Sequence, residues 1–541
     1  QYDIFANDPN FINKEIEKLL AVYSEDVMRV FRKYIKDQHY VATSFVPKDQ
    51  LDLALENSEK AEVVEEKIVE GAEEDFDAKQ AVDYPKTASS FDRTIEPPYS
   101  AKPELEIPEI WKTTMPSGLE VMGITNKEVP LVQFSLEIKS GQLLESMDKA
   151  GVANLLANLM NRGTAKKTPA ELEEAIELLG ARIYVSSSEE KISITGNTLA
   201  KNYAETMKLV DEMLLQPRWD ESEFELIKQQ TLSRIKQQEG DPNNIASNEF
   251  RKLVYGENSI LSMNEMGTTE SVENITLNDL KAYYSENLSP LNATYLVVGD
   301  LDLEKAKNSL KAISASWPPK TVDFPEIPEF EAPEKSQIYF YDVPGAKQSV
   351  LTFGAPALSA SDKDFYAAEV MNYRLGGGSF ASRLTQELRE GKGYTYGIRS
   401  RFEDRSYIGP FLISSGVRSN ITYEATELIR DILTDYADTF TQDDLEVTKS
   451  YMTKSSTRKF ETLGAKLNML KEISDYGYND NYVAEQQQQV EEMTVMDIQE
   501  LAKKYIDPDK MYFLIVGDAE TQLEKLKNLG YGDPVLLNED E

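Results

Sequence analysis

The sequence predicts an α+β protein built from repeated two-layer domains, each a largely antiparallel sheet covered by helices, with two complete domains and the remnant of another. Three observations carry this: a helix–strand pattern that recurs at one spacing, stretches where apolar and polar residues alternate beside helical periodicities, and two proline-punctuated linkers.

The recurring pattern runs from Tyr23 to Val46, from Thr276 to Asp300 and from Thr494 to Asp518. In each copy an acidic residue lies in the first turn of a helix, and the interval from Asp26, Asp279 and Asp497 to Val46, Gly299 and Gly517 is 20 residues. Thr276 with Asp279 and Thr494 with Asp497 read as capping boxes that start helices. The following runs, Tyr40–Val46, Tyr295–Asp300 and Phe513–Asp518, are rich in β-branched and aromatic residues and read as strands. The last two copies lie 218 residues apart, so one unit is about that long and the first copy has too little chain before it. The expected organisation is therefore a C-terminal remnant of a preceding domain at 1–50, an acidic linker at 51–105, a complete domain at 106–318, a proline-rich linker at 319–334, and a second complete domain at 335–541. On this reading the chain is the C-terminal part of a longer protein.

Within the first complete domain, Leu131–Ile138, Arg182–Ser187 and Lys191–Thr195 alternate as half-buried antiparallel strands do. Val152, Leu155, Leu156, Leu159 and Met160 mark a helix between them. The second domain repeats the order, with strands near 349–353 and 409–414 and helices near 364–375 and 422–437.

Composition removes several function classes. With 94 acidic against 58 basic side chains the net charge is −36, which repels nucleic acid and anionic membrane surfaces. No uninterrupted apolar run approaches the ~18 residues of a membrane span. There is no cysteine, hence no disulfide, thiol nucleophile or thiolate metal site. The single histidine, His39, excludes a site built from two imidazoles of this chain, and it is read as an exposed residue beside a strand with no functional role.

Four motifs in order, Pro116–Val121, Gly141–Glu145, Gly151–Thr164 and Leu172–Ala181, make the first complete domain resemble the insulinase/pitrilysin peptidase family, which includes the mitochondrial processing peptidase. In active members of that family the helix after Gly151 would carry His-x-x-Glu-His, two zinc ligands one turn apart with a carboxylate to activate water. Here those positions are Asn154, Ala157 and Asn158, and the family's third ligand, a glutamate farther along, aligns with Arg234. Amides are poor zinc ligands, alanine accepts no proton, and a guanidinium opposes a dication. The resemblance thus implies an inactive peptidase-like domain.

The second domain keeps the family's landmarks. Leu375–Leu384 matches a glycine-rich element with Gly376, Gly377 and Gly378, and no Lys-Ser or Lys-Thr follows that would make it a phosphate loop. Arg389 and Tyr396 match an Arg–Tyr pair seven residues apart that in relatives reaches toward the substrate backbone. The resemblance implies a non-catalytic half that shapes a peptide-binding chamber. Its partner would be a catalytic peptidase half, fused or separate, which would hold the zinc; this chain would carry no cofactor. The alternatives are a scaffold subunit like the core proteins of the bc1 complex, which resemble the family, and a peptide-binding module without activity. Bacterial relatives with two halves point to the periplasm or cell envelope.

Overall fold

The computed structural model describes residues 1–47, 49–61, 90–92, 95 and 106–538. The chain divides into two compact units, Gln1–Lys67 and Ile68–Glu541. The acidic linker expected at 51–105 lies mostly outside the described residues.

The smaller unit contains the helices Tyr2–Ala6, Phe11–Leu20 and Ser24–Tyr34, none of which buries a residue. Residues 40–46, expected as a strand, take no regular secondary structure, and Tyr40, Val41 and Phe45 are exposed. The reason is physical: a strand's N–H and C=O groups need a neighbouring strand, and the described residues of this unit contain none.

The larger unit holds two sheets of six strands. The first comprises β1 (Trp111–Thr114), β2 (Glu120–Thr125), β3 (Leu131–Ile138), β4 (Arg182–Ser187), β5 (Ile192–Leu199) and β6 (Ala293–Gly299), ordered β1-β2-β6-β3-β5-β4. The second comprises β7 (Gln337–Asp342), β8 (Gln348–Leu358), β9 (Thr395–Phe402), β10 (Gly409–Arg418), β11 (Tyr512–Gly517) and β12 (Val535–Leu536), ordered β12-β7-β11-β8-β10-β9. Both are largely antiparallel. The repeated strands β6 and β11 each run parallel to one neighbour, β2 or β7, and antiparallel to the other, β3 or β8. The capping boxes form, with the Asp279 and Asp497 carboxylates accepting from the Thr276 and Thr494 N–H at 2.7 Å.

All seven residues of β6 are buried, because helices cover both faces of the sheet. Tyr295 and Val297 point into the main core with Phe134, Leu155 and Leu156, while Leu296 and Val298 point to the other face. That other face is covered from the second half: Leu463, Met469, Leu470 and Ile473 of the helix Leu463–Tyr476 pack on Ile124, Leu296 and Val298. The arrangement is reciprocal, since Ile245, Phe250 and Val254 of the helix Pro242–Tyr255, from the first half, pack on Leu412, Leu514 and Val516 of the second sheet. Each fully buried side chain of this kind contributes ~1.5–3 kcal/mol, so the exchanged helices hold the two halves together.

Candidate functional site

The helix Val152–Met160 begins at Gly151, whose φ of +100° and approach to Met266 leave no room for a side chain. Its start is held by Glu145, whose two carboxyl oxygens accept from the N–H groups of Gly151 and Ala153, each at 2.7 Å. Burial, with the charge of Glu265 beside it, pushes this carboxyl up to about 8 against the pull of the two backbone donors. Seven of the nine helical residues are buried, including the five that mark the apolar pattern.

Asn154 and Asn158 are the two that are not fully buried, and they bond to each other. The Asn158 Nδ2 donates to the Asn154 side-chain oxygen at 3.0 Å and to its carbonyl at 2.9 Å, while the Asn154 amide reaches Ser187 on β4 at 3.5 Å. Ala157 is buried between them. The helix Glu221–Glu239 packs against this one, and it presents Arg234 to solvent. These residues do not fit a zinc ion: two amides, one donating to the other, a methyl and a guanidinium supply no anionic or imidazole donor. Among the described residues no group of three or more His, Cys, Asp or Glu side chains comes together as a metal site.

In the second half the helix Phe365–Asn372, expected to run on to residue 375, gives way to a π-helical turn at Tyr373–Gly377. Glycine explains the change: a Cβ on Gly376 would stand 2.2 Å from the Ser400 hydroxyl and 2.6 Å from its backbone nitrogen, so only glycine lets the turn lie against β9. Asn372, buried, donates to the Ser400 carbonyl at 2.8 Å and accepts from its hydroxyl, which fixes the end of the helix on the same strand. Gly377 and Gly378 complete the turn, the latter donating to the Tyr373 carbonyl at 2.7 Å.

A second π-helical stretch, Thr385–Gly391, carries Arg389. It is held beside β9 by the Thr385 hydroxyl, which donates to the Ile398 carbonyl at 3.3 Å, and by the N–H of Tyr394, the residue before the strand, which donates to the Leu388 carbonyl at 2.8 Å. π-Helical insertions of this kind widen a helix and re-aim the side chains on it. Arg389 lies with its guanidinium 4.6 Å from the Phe380 ring centre and 3.5 Å from the Glu390 carboxylate, an exposed pair of little energetic weight. Tyr396, the second residue of β9, is 93% exposed, so its phenol is presented rather than packed. Arg389 and Tyr396 line one cavity of about 670 Å³, together with Lys392, Arg418 and Gln348. A guanidinium and a phenol at one cavity wall can donate to peptide carbonyl oxygens.

Two buried charge clusters were not legible in the sequence. Glu137 on β3 accepts from Lys471 at 2.7 Å and lies 3.3 Å from Lys191, with hydroxyl donors from Ser135 and Ser193. Burial alone would raise this carboxyl; the two lysines and the hydrogen bonds override it and bring it down to about 2. Glu189 is buried between Arg251 and Arg405 and accepts from the Tyr407 hydroxyl at 2.7 Å. Lys471, Arg405 and Tyr407 come from the second half, so both clusters join the halves. The alternation of β3 places Glu137 on the face opposite the main core; what it could not reveal is that another helix, carrying Lys471, covers that face.

Comparison with known proteins agrees with this architecture. Residues 121–261 match the model of the insulinase family, peptidase family M16, and residues 274–452 match that of the peptidase M16 inactive domain. A Helicobacter pylori protein named as the non-peptidase homolog YmxG is 24% identical over 422 residues, covering 74% of this chain and 96% of its own. A crystal structure described as a peptidase M16 inactive domain from Pseudomonas fluorescens superposes with a TM-score of 0.71 at 26% identity, over 76% of this chain and 99% of that one. A chain of Complex III2 from Candida albicans has the same fold, with a TM-score of 0.64 at 17% identity over 78% of this chain and 99% of its own. With two successive domain models of one family matched in order and the fold reproduced, this chain belongs to the insulinase family of peptidases, family M16, and carries its inactive domain.

Proposed function

We propose that this chain is the non-catalytic half of a zinc metalloendopeptidase assembly, forming one wall of a peptide-binding chamber. The zinc would belong to a catalytic half, on the same polypeptide or a separate subunit. The observation that supports this most is the asymmetry between the two halves of the chain. Where the family places its ligands, Asn154 and Asn158 bond each other; where it places its substrate contacts, Arg389 and Tyr396 still face one open cavity. In this role Arg389 and Tyr396 donate hydrogen bonds to the peptide backbone and to the negative charge that develops on the scissile carbonyl oxygen. Neither moves a proton in this scheme; they bind and orient.

The test is Arg389→Ala and Tyr396→Phe in the complete assembly. Loss of one such donor lowers kcat by roughly 10²-fold, and unchanged hydrolysis in both variants defeats the proposal. A second reading, a scaffold subunit without peptidase function, draws on the likeness in fold to a Complex III2 chain and on the printed name of the Helicobacter pylori relative. Under it both substitutions leave every assembly and activity measurement unchanged.

A further inference from the structure

The cavity that holds Arg389 and Tyr396 is cationic in a strongly acidic chain. Over the whole sequence acidic side chains outnumber basic ones, 94 to 58. On this wall the balance inverts: Arg389, Lys392 and Arg418 stand with a single carboxylate, that of Glu390. Glu390 lies 3.5 Å from Arg389 and offsets that charge. Lys392 and Arg418 are exposed, and among the described residues neither side chain makes an ion pair or a hydrogen bond. Two uncompensated cations therefore share one cavity wall, on a molecule whose surface carries an excess of the carboxylates that would neutralise them.

The backbone accounts for both the charge and the room. Burial alternates along β10: Phe411, Ile413 and Val417 enter the core, while Ser414, Gly416 and Arg418 lie on the opposite face. Arg399 of β9 pairs across from Ser414 and so shares that face; it too is exposed and without an ion pair among the described residues. Beside Gly416 the pairing steps from Ser415 with Ile398 to Val417 with Thr395, so β9 sets two residues, Tyr396 and Gly397, against one. A bulge of this kind re-aims the side chain it carries, here the exposed Tyr396. Glycines leave the floor between the cations bare. A Cβ on Gly393 would meet nothing within 4 Å, and one on Gly416 only the Gln348 side-chain oxygen at 4.0 Å.

We infer that this wall recognises carboxylates of the bound peptide. Arg389 and Tyr396 hold the backbone, as proposed above, and Lys392 and Arg418 take an acidic side chain or a free C-terminus beside it. The inference rests on the chamber reading and adds the substrate class to it, an acidic peptide. The Arg418 guanidinium presents paired N–H donors that match a carboxylate in one plane, and the Lys392 ammonium adds a point charge beside it. Polyanions such as nucleic acid are disfavoured, because a net charge of −36 repels them before they reach the cavity. A short peptide with few carboxylates brings little charge to be repelled.

Binding to the full chain tests this, read by the fluorescence anisotropy of three labelled peptides of one length. One is amidated and carries glutamates, one is its amidated glutamine counterpart, and one is the glutamine peptide with a free C-terminus. The chain should bind the glutamate peptide, the free-acid peptide or both at least roughly tenfold more tightly than the amidated glutamine peptide, the scale of one charge-assisted hydrogen bond. Which of the two gains tells a side-chain carboxylate from a terminal one. Lys392→Glu combined with Arg418→Glu should abolish the preference and favour a lysine-bearing peptide instead, with melting unchanged because both side chains stand in solvent. Arg418→Gln, which neutralises one cation, should weaken the preference. Equal affinities for all three peptides, or a preference unchanged in both variants, overturns the inference and leaves the chamber reading standing. Binding of none overturns it too, and the chamber reading then stands or falls on hydrolysis by the Arg389→Ala and Tyr396→Phe variants.

Discussion

The helix Val152–Met160 and the helix Phe365–Asn372 follow equivalent strands, β3 and β8, yet they end in opposite ways. The first stays regular, buries seven of its nine residues, and spends its two remaining polar side chains on each other and on Ser187. The second unwinds through Tyr373–Gly377 into a glycine-rich turn pressed on Ser400, and the stretch that follows carries Arg389 to the edge of a cavity. One fold repeated in one chain thus carries two amides bonded to one another at one place and an arginine and a tyrosine at a cavity wall at the other. The strand order is repeated in both, so the difference lies in how the helix ends and in a few side chains on a common sheet.

The comparison breaks most visibly where the halves are joined. Replacing Glu137 with Ala leaves Lys471 without its buried counter-ion and Lys191 with Asp475 alone, and breaking such a buried pair costs about 3–5 kcal/mol. Chemical denaturation of the variant should show that loss, and a change under 1 kcal/mol would mean that the cluster does not hold the halves together.

Acid should act on the same cluster more gently. Glu137 titrates at about 2 in the folded chain against 4.5 for the free side chain. Its contribution is therefore fully present above pH 4.5 and is lost as pH falls toward 2. A tenfold change in proton affinity corresponds to about 1.4 kcal/mol, so the loss is about 3 kcal/mol in all. The decline in melting temperature over that window should be blunted in Glu137→Gln, and an identical pH profile in the variant contradicts the assignment.

Much of the fold was legible because it repeats. A fixed interval from Asp279 to Gly299 and from Asp497 to Gly517 located both interior strands, and alternation located β3, β4 and β5. Tyr40–Val46 misled for the complementary reason: the pattern records what a segment can pair with, while a strand exists only where its neighbours are present. The exchange of the helices Pro242–Tyr255 and Leu463–Tyr476 was not legible, since periodicity marks an apolar face without naming the surface it meets. Glu145 lay inside a recognised motif, but its role as a buried cap depends on the helix start being folded back over it. At Asn154, Ala157 and Asn158 the residue types alone were legible, and each lacks a property that zinc chemistry requires. That Arg389 and Tyr396 meet at one cavity needed the two π-helical turns, for which single-residue spacing gives no signal.

The most direct test of the account is hydrolysis of a peptide substrate by this chain alone and after mixing with a catalytic half that carries His-x-x-Glu-His, with zinc measured in both samples. The account predicts no stoichiometric zinc and no hydrolysis for the chain alone, and hydrolysis in the mixture that exceeds that of the catalytic half by itself and falls with Arg389→Ala. Zinc-dependent hydrolysis by this chain alone would contradict it.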